Sequence, residues 1–323
     1  MTRTLRAVLD WHRPLVLFSA GLAGLAVLCA AGMAVDERLL DGSSVWLKPF
    51  KFALSFMIYA LTLAWLLPML RRTPVLARQV GTVIASLSTI GVGLITFQAA
   101  RGRHSHFNVS TPQDASIFGI MGMLVTLLAV VTMVVAVMAL GQPGRDRVTT
   151  AALRFGLLVC VLGMMVAYYM VGGTGRAEAA AAGTFAGGAH SVGVADGGPG
   201  MPITGWSTTG GDMRAPHAVG LHALQVMPLL ALLLTAAARR LPALDAERVR
   251  LGLVWVAGLG YAGLVVLLTW QARRGQPLIY PDALTLTALG VLLGAVVVAA
   301  GAVIAFGRRQ LPVRGPAVRE GVS

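Results

Sequence analysis

Eight runs of apolar residues, each about 20 residues or longer, recur along this chain at approximately 15–35, 50–70, 77–100, 114–140, 151–172, 217–238, 251–271 and 283–306. At 1.5 Å rise per residue a helix of that length covers the ~30 Å of a bilayer's hydrocarbon core. Lipid offers no partner to an open backbone, so helices are expected rather than strands. The fold class read from this pattern is an all-α integral membrane protein with eight transmembrane helices. A composition 56% hydrophobic and only 12% charged lies well outside the range of soluble domains and agrees with it.

Charge sets the expected orientation. Of the 26 Lys and Arg residues, 17 fall at the N-terminus, in the 2–3, 4–5 and 6–7 connections and in the C-terminal tail, leaving nine on the other side. Basic loops stay in the cytoplasm, which predicts both termini inside. The acids run the other way, so the +13 formal charge reads as a topogenic signal and a surface for anionic lipid. No separate basic domain suggests nucleic acid as a partner; the lipid bilayer is the partner expected.

The whole chain, 1–323, reads as a single polytopic domain with a long Gly/Ala-rich outer loop at 173–215 and a cytoplasmic tail at 308–323. Arg3, Arg6 and Arg13 precede a first run that ends in small residues, as in a signal peptide. That run exceeds the 7–15 residues of a signal core, so an uncleaved first span is expected. Cys29 and Cys160 fall inside spans and read as small packing residues. Pro49, Pro112, Pro216 and Pro281 mark the starts of the even-numbered spans. Thr111 adds a cap and Asp114 an acid three residues on. Pro228, in mid-span, is expected to kink the sixth helix near Leu224.

One internal echo stands out. Thr96-Phe-Gln-Ala-Ala-Arg-Gly102 closes span three, Thr269-Trp-Gln-Ala-Arg-Arg-Gly275 closes span seven, and each is followed by a Pro and an Asp. This suggests a parallel tandem repeat of four plus four spans, with halves 1–147 and 148–310, the alternative being coincidence in a low-diversity chain.

The unusual residues gather at the outer rim. The only two lysines, Lys48 and Lys51, lie in Trp46-Leu-Lys-Pro-Phe-Lys-Phe52, while every other base is arginine. They read either as compact cations for an anionic ligand or as snorkelling interfacial lysines. Five of six histidines are outer. His104 and His106 flank Ser105, and in an extended loop would point the same way. His217 and His222 open helix six with Gln225 between them. These four are the candidate metal or haem ligands, against ordinary interfacial hydrogen bonding. Gln98, Arg101, Asp212, Arg214 and Gln225, with Lys48 and Lys51, are the candidate substrate-binding residues; Tyr168 and Tyr169 either line the same pocket or belong to the aromatic belt. Segment 173–190 is expected to be flexible and 191–215 to fold over the pocket, anchored by Trp206.

The Trp46–Phe52 segment, the run from Gln98 to Asn108 and the run from Gly211 to Gln225 together resemble a set of uncharacterised bacterial polytopic inner-membrane proteins. The resemblance covers a minority of the chain and implies a place in the bacterial cytoplasmic membrane; it brings no activity. Two functions follow as expectations. One is a metal- or haem-binding membrane enzyme or redox protein acting on a lipid-like or small anionic substrate, with a transition metal or haem as cofactor. The other is a transporter or small-molecule binding protein without metal. No span carries a deep acid, which weighs against ion-coupled transport.

Overall fold

A computed structural model describes residues 10–142, 146–172 and 187–309. Eight helices are long and apolar enough to cross a membrane: α1 (Arg13–Val35), α2 (Leu47–Leu66), α3 (Pro74–Ala100), α4 (Pro112–Leu140), α5 (Arg147–Val166), α6 (Arg214–Ala238), α7 (Glu247–Arg273) and α8 (Ala283–Arg309). A helical turn, Tyr168–Gly172, continues α5 beyond Ala167. The expected apolar runs match these helices within a few residues, and most helices begin slightly earlier because their first turn is polar.

Side-chain caps account for some of those starts. Pro112 is the first residue of α4, and the Thr111 hydroxyl accepts the Asp114 N–H at 3.1 Å. Pro49 and Pro216 are the third residues of α2 and α6, so they and Pro112 lie in the first turn as expected, while Pro281 lies two before α8. Each is still within or before the first four N–H groups, which have no intrahelical acceptor. On the opposite rim His12 caps α1 at Leu15 N–H (3.3 Å) and bonds the Arg78 carbonyl (2.9 Å). Helix α6 runs unbroken through Pro228 with Leu224 fully buried beneath it.

The helices pack mainly with sequence neighbours. In the first half α1 packs most extensively on α2, α3 also meets α1 and α2, and α4 packs on α3. In the second half α5 packs most extensively on α6, α7 also meets α5 and α6, and α8 packs on α7. Helix α4 touches α5, and α2 touches α6 only lightly. A core of buried side chains joins the halves, with Leu15, Leu63, Ile84, Val135, Leu157, Cys160 and Leu224 in one cluster. Cys29 and Cys160 are buried free thiols.

Small residues set the closest approaches, as expected where helices associate by packing rather than by a hydrophobic drive. Gly163 of α5 and Gly220 of α6 cross backbone to backbone: a Cβ added at Gly163 would stand 2.7 Å from Gly220 Cα. The Trp46 ring lies on Gly32 and donates from Nε1 to Asp36 at 2.8 Å. Helix α7 presents Gly252, Gly260 and Gly263 to Val303, Val296 and Leu292 of α8.

The echoed heptapeptides build matching clasps at the rim where α3 and α7 end. Gln98 Nε2 donates to the carbonyl six residues on, His104, at 3.2 Å; Gln271 Nε2 does the same to Pro277 at 2.9 Å. Gly102 and Gly275 turn the chain at φ +64° and +72°, the left-handed region glycine enters freely. Arg101 then pairs with Asp114 at 3.1 Å and Arg274 pairs with Asp282. Each guanidinium lies over the ring that opens its clasp, Phe97 at 5.4 Å and Trp270 at 4.5 Å. Gln98 and Arg101 are therefore structural here rather than pocket-lining as expected: Gln98 is fully buried and also donates to Asp114 at 2.9 Å, so its amide N–H groups are already committed.

Candidate functional site

On the same rim, two short hairpins sit ahead of α2 and α6. β1 (Leu39–Leu40) pairs with β2 (Ser43–Ser44), and β3 (Ser191–Val192) pairs with β4 (Gly211–Asp212). The chain between β3 and β4 folds back on itself through a Gly200–Ser207 bridge and lies over the start of α2. This segment falls within 191–215, where a cover is expected. Of the segment expected to be flexible, 173–186 lies outside the described residues, while 187–190 is described. Trp206 is half-buried, with its carbonyl accepting Met201 N–H at 2.8 Å.

Buried Asp212 anchors the cover. Its carboxylate takes the Arg214 guanidinium at 2.6 and 2.9 Å, the Arg214 backbone N–H at 2.9 Å and the Ser207 N–H at 2.7 Å. Asp212 and Arg214, both expected to bind substrate, thus meet each other at the mouth of α6. A second carboxylate, Asp196, holds the His190 ring at 2.9 Å together with the backbone N–H groups of His190 and Ser191. Burial alone would raise the Asp196 carboxyl; the bonds from His190 and Ser191 override it and hold it well below the usual carboxylate range.

Under this cover the polar groups converge from four elements. Lys51 of α2 donates to the Thr204 carbonyl at 3.0 Å. The Lys48 ammonium lies within electrostatic reach of Lys51, Arg214, Asp41 and Asp196, yet makes no hydrogen bond or ion pair among the described residues. His106, from the α3–α4 connection, bonds the Ser105 hydroxyl at 3.0 Å and packs near Phe52 at 5.8 Å. His217 Nδ1 meets the Gly163 carbonyl at 2.8 Å. Because a carbonyl only accepts, His217 holds its proton on Nδ1, and Nε2 keeps its lone pair. The carboxylate of Asp196 imposes the same tautomer on His190.

Deeper between the halves, Gln225 Nε2 donates to Thr62 of α2 at 3.3 Å, and His222 meets the Gln225 side-chain oxygen at 3.4 Å. Their contact ties α2 to α6.

The four histidines expected as metal ligands do not gather. His104 leans to Asp41 at 3.5 Å and is exposed, while His106 turns toward Phe52, so the connection is not the extended strand that would aim both rings together. Exposed His222 goes to Gln225. Among the described residues no three His, Cys, Asp or Glu side chains group closely enough to hold a metal ion. Tyr168 and Tyr169 are exposed; one reaches Thr126 at 3.1 Å and the other lies under Arg273. The residue sequence reasoning missed is His190. Its signal was an isolated His six positions before an Asp that leads into Gly197-Gly198-Pro199, a turn able to bring the two together.

Burial, then Lys48 and the other two pocket histidines, holds the His106 imidazole well below its ordinary value. Burial lowers His190 as well, opposed by Asp196 and reinforced by Arg214 and Lys48. A neutral, desolvated imidazole stabilises the fold only while the unfolded chain is also neutral. As pH falls through the unfolded value of ~6.5, the unfolded state binds protons the folded pocket refuses, and stability drops. We expect the thermal midpoint to fall from pH 7 to pH 5, as unfolding free energy is lost at up to ~1.4 kcal/mol per pH unit for each histidine. His106→Gln should flatten that slope in tryptophan-fluorescence melts; an equal slope in wild type and variant would show that the folded pocket protonates freely.

No protein-family model, no curated protein and no solved structure matches this chain.

Proposed function

We propose that this is a small-molecule binding protein or carrier of the bacterial cytoplasmic membrane, with both termini inside and its ligand pocket opening outward between two tandem four-helix halves. The observation that carries the reading is the convergence of Lys48, Lys51, His106, His190, Arg214 and His217, drawn from α2, the α3–α4 connection, the cover and α6, beneath one folded segment. Polar groups of this density are costly beside hydrocarbon and mark a site by default. Concave sites between packed units, with a few convergent polar groups, are where small ligands bind.

Support for two halves comes from the matched clasps, the shared order of helix packing and the hairpin ahead of both α2 and α6. An even number of spans per half keeps the halves parallel, with an axis along the membrane normal. The excess of arginine on the opposite rim supports the orientation.

A second reading, a metal-dependent membrane enzyme or redox protein, is favoured by one observation. His190 and His217 each direct Nδ1–H at an oxygen and leave Nε2 free, as metal-bound histidines do. The two readings separate on the purified full-length protein. We expect native mass spectrometry to find an organic molecule released in the His217→Ala, His222→Ala double variant, with elemental analysis and the absorption spectrum showing no stoichiometric metal or haem. A stoichiometric metal lost in that variant would establish the second reading and overturn the first.

A further inference from the structure

Three cations crowd the starts of two helices. Lys48 and Lys51 lie in the first turns of α2, and Arg214 opens α6. The positive end of each helix dipole points the same way, so cations there are placed where anions are favoured. Asp212 pairs directly with Arg214 and acts on Lys51 only at longer range, and Asp196, held by His190 and two backbone N–H groups, reaches Lys48 only through space. Asp41 is exposed and leans to His104.

What meets the remaining charge is a turn of the protein's own backbone. Thr204 carbonyl accepts from Lys51 at 3.0 Å, and the next carbonyl, Gly205, accepts from Arg214 Nη2 at 2.6 Å. The turn is tight: Thr204 N–H reaches back two residues to the Pro202 carbonyl at 2.7 Å. Ile203 is forced to φ +67° with 77% of its surface exposed. A β-branched residue in the left-handed region is strained, and such strain persists where surrounding contacts impose it. Here the two cations bind the carbonyls of the two residues that follow Ile203.

Resting on the reading of this cluster as a ligand site, we propose that Lys48, Lys51 and Arg214 form a binding site for a phosphate-class oxyanion, and that the 202–205 turn competes for it, its two carbonyls standing where ligand oxygens bind. The donors left over exceed what a carboxylate's two oxygens take up. An ammonium carries three N–H donors, Lys48 uses none among the described residues, and Lys51 uses one. Arg214 Nη1 is also without a hydrogen bond there. A tetrahedral phosphate offers an oxygen on each side of such a cluster. Binding would substitute charged oxygens for neutral carbonyls and release the strained turn.

The test uses the full-length protein in phosphatidylcholine nanodiscs titrated with inorganic phosphate, alongside nanodiscs containing phosphatidylglycerol. Hydrogen exchange at 203–206 is read in both arms. Saturable binding of phosphate with faster exchange in the turn is the expected result, weakened roughly tenfold or more in Lys48→Met, as for loss of a charged hydrogen-bond donor. Ile203→Gly relieves the strain, strengthens the plug and should weaken binding roughly threefold or more; it leaves all three cations intact and guards against a folding defect in Lys48→Met. A response confined to the phosphatidylglycerol arm assigns the phosphate to a lipid headgroup and still supports the site. No Lys48-dependent response in either arm overturns it, and binding without a change in turn exchange overturns the plug. Recovery of a neutral co-purifying molecule in the pocket would sink the oxyanion while leaving the binding-protein reading in place.

Discussion

Gly163→Ala should be among the most damaging single-methyl changes in this protein. The new Cβ would lie 2.7 Å from both the Cα and the carbonyl carbon of Gly220, and neither is the end of a side chain that can swing away. Helix α5 must then move off α6, across the most extensive helix pair in the fold. Overpacking a rigid contact costs about 1–3 kcal/mol and occasionally more; with backbone on both sides the upper end is expected. The consequence reaches the pocket, because the Gly163 carbonyl fixes the His217 ring at 2.8 Å. Thermal melts in detergent should show the loss, and Gly220→Ala, with Gly163 Cα at 2.5 Å, should match it. Gly290→Ala on α8 is the control, since nothing lies within 4 Å of its added methyl, and alanine is the better helix former. Equal midpoints for Gly163→Ala and Gly290→Ala would show that the crossing is loose.

The spans were legible because hydrocarbon demands length and apolarity, and those are properties of the sequence alone. Caps such as Thr111 with Asp114 were legible because they are local. The echo of Gln98 with Gln271 was visible as spelling, but its meaning was not. Both amides reach a carbonyl six residues ahead, a turn geometry that depends on a glycine at φ > 0, and this removed Gln98 and Arg101 from the pocket to which their polarity had assigned them. Membership in the pocket was hardest to read. Lys51 meets Thr204 across 153 residues, and His190 joins through a loop whose sequence advertises only turns. The pairing of His104 with His106 failed because each ring finds its own partner, His104 leaning to Asp41 and His106 to Phe52.

The two clasps supply the other large expected effect, because they share a design and differ in burial. Asp114 is fully buried and receives Arg101, Gln98, Ser110 and Thr111. Asp282, with 35% of its side chain exposed, receives Arg274 and the Thr285 N–H. Removing one partner of a buried ion pair strands the other, at about 3–5 kcal/mol; Arg101 keeps 27% of its side-chain surface in contact with solvent, which places Asp114→Ala near ~3 kcal/mol, the low end of that range. The hydroxyls of Ser110 and Thr111 can turn to other acceptors, whereas the Gln98 amide cannot leave the core. Asp282 keeps 35% of its side chain in solvent, and Gln271 donates to backbone carbonyls rather than to it, so Asp282→Ala strands no buried amide and its midpoint should stay nearer wild type, toward the small values of exposed pairs. The double replacement Gln98→Leu, Asp114→Leu removes both the buried acid and the buried amide, and should recover part of the loss if desolvation of stranded groups is its cause. Comparable losses for Asp114→Ala and Asp282→Ala would mean that the first clasp is as wet as the second, and no recovery in the double variant would assign the damage to the cap of α4 instead.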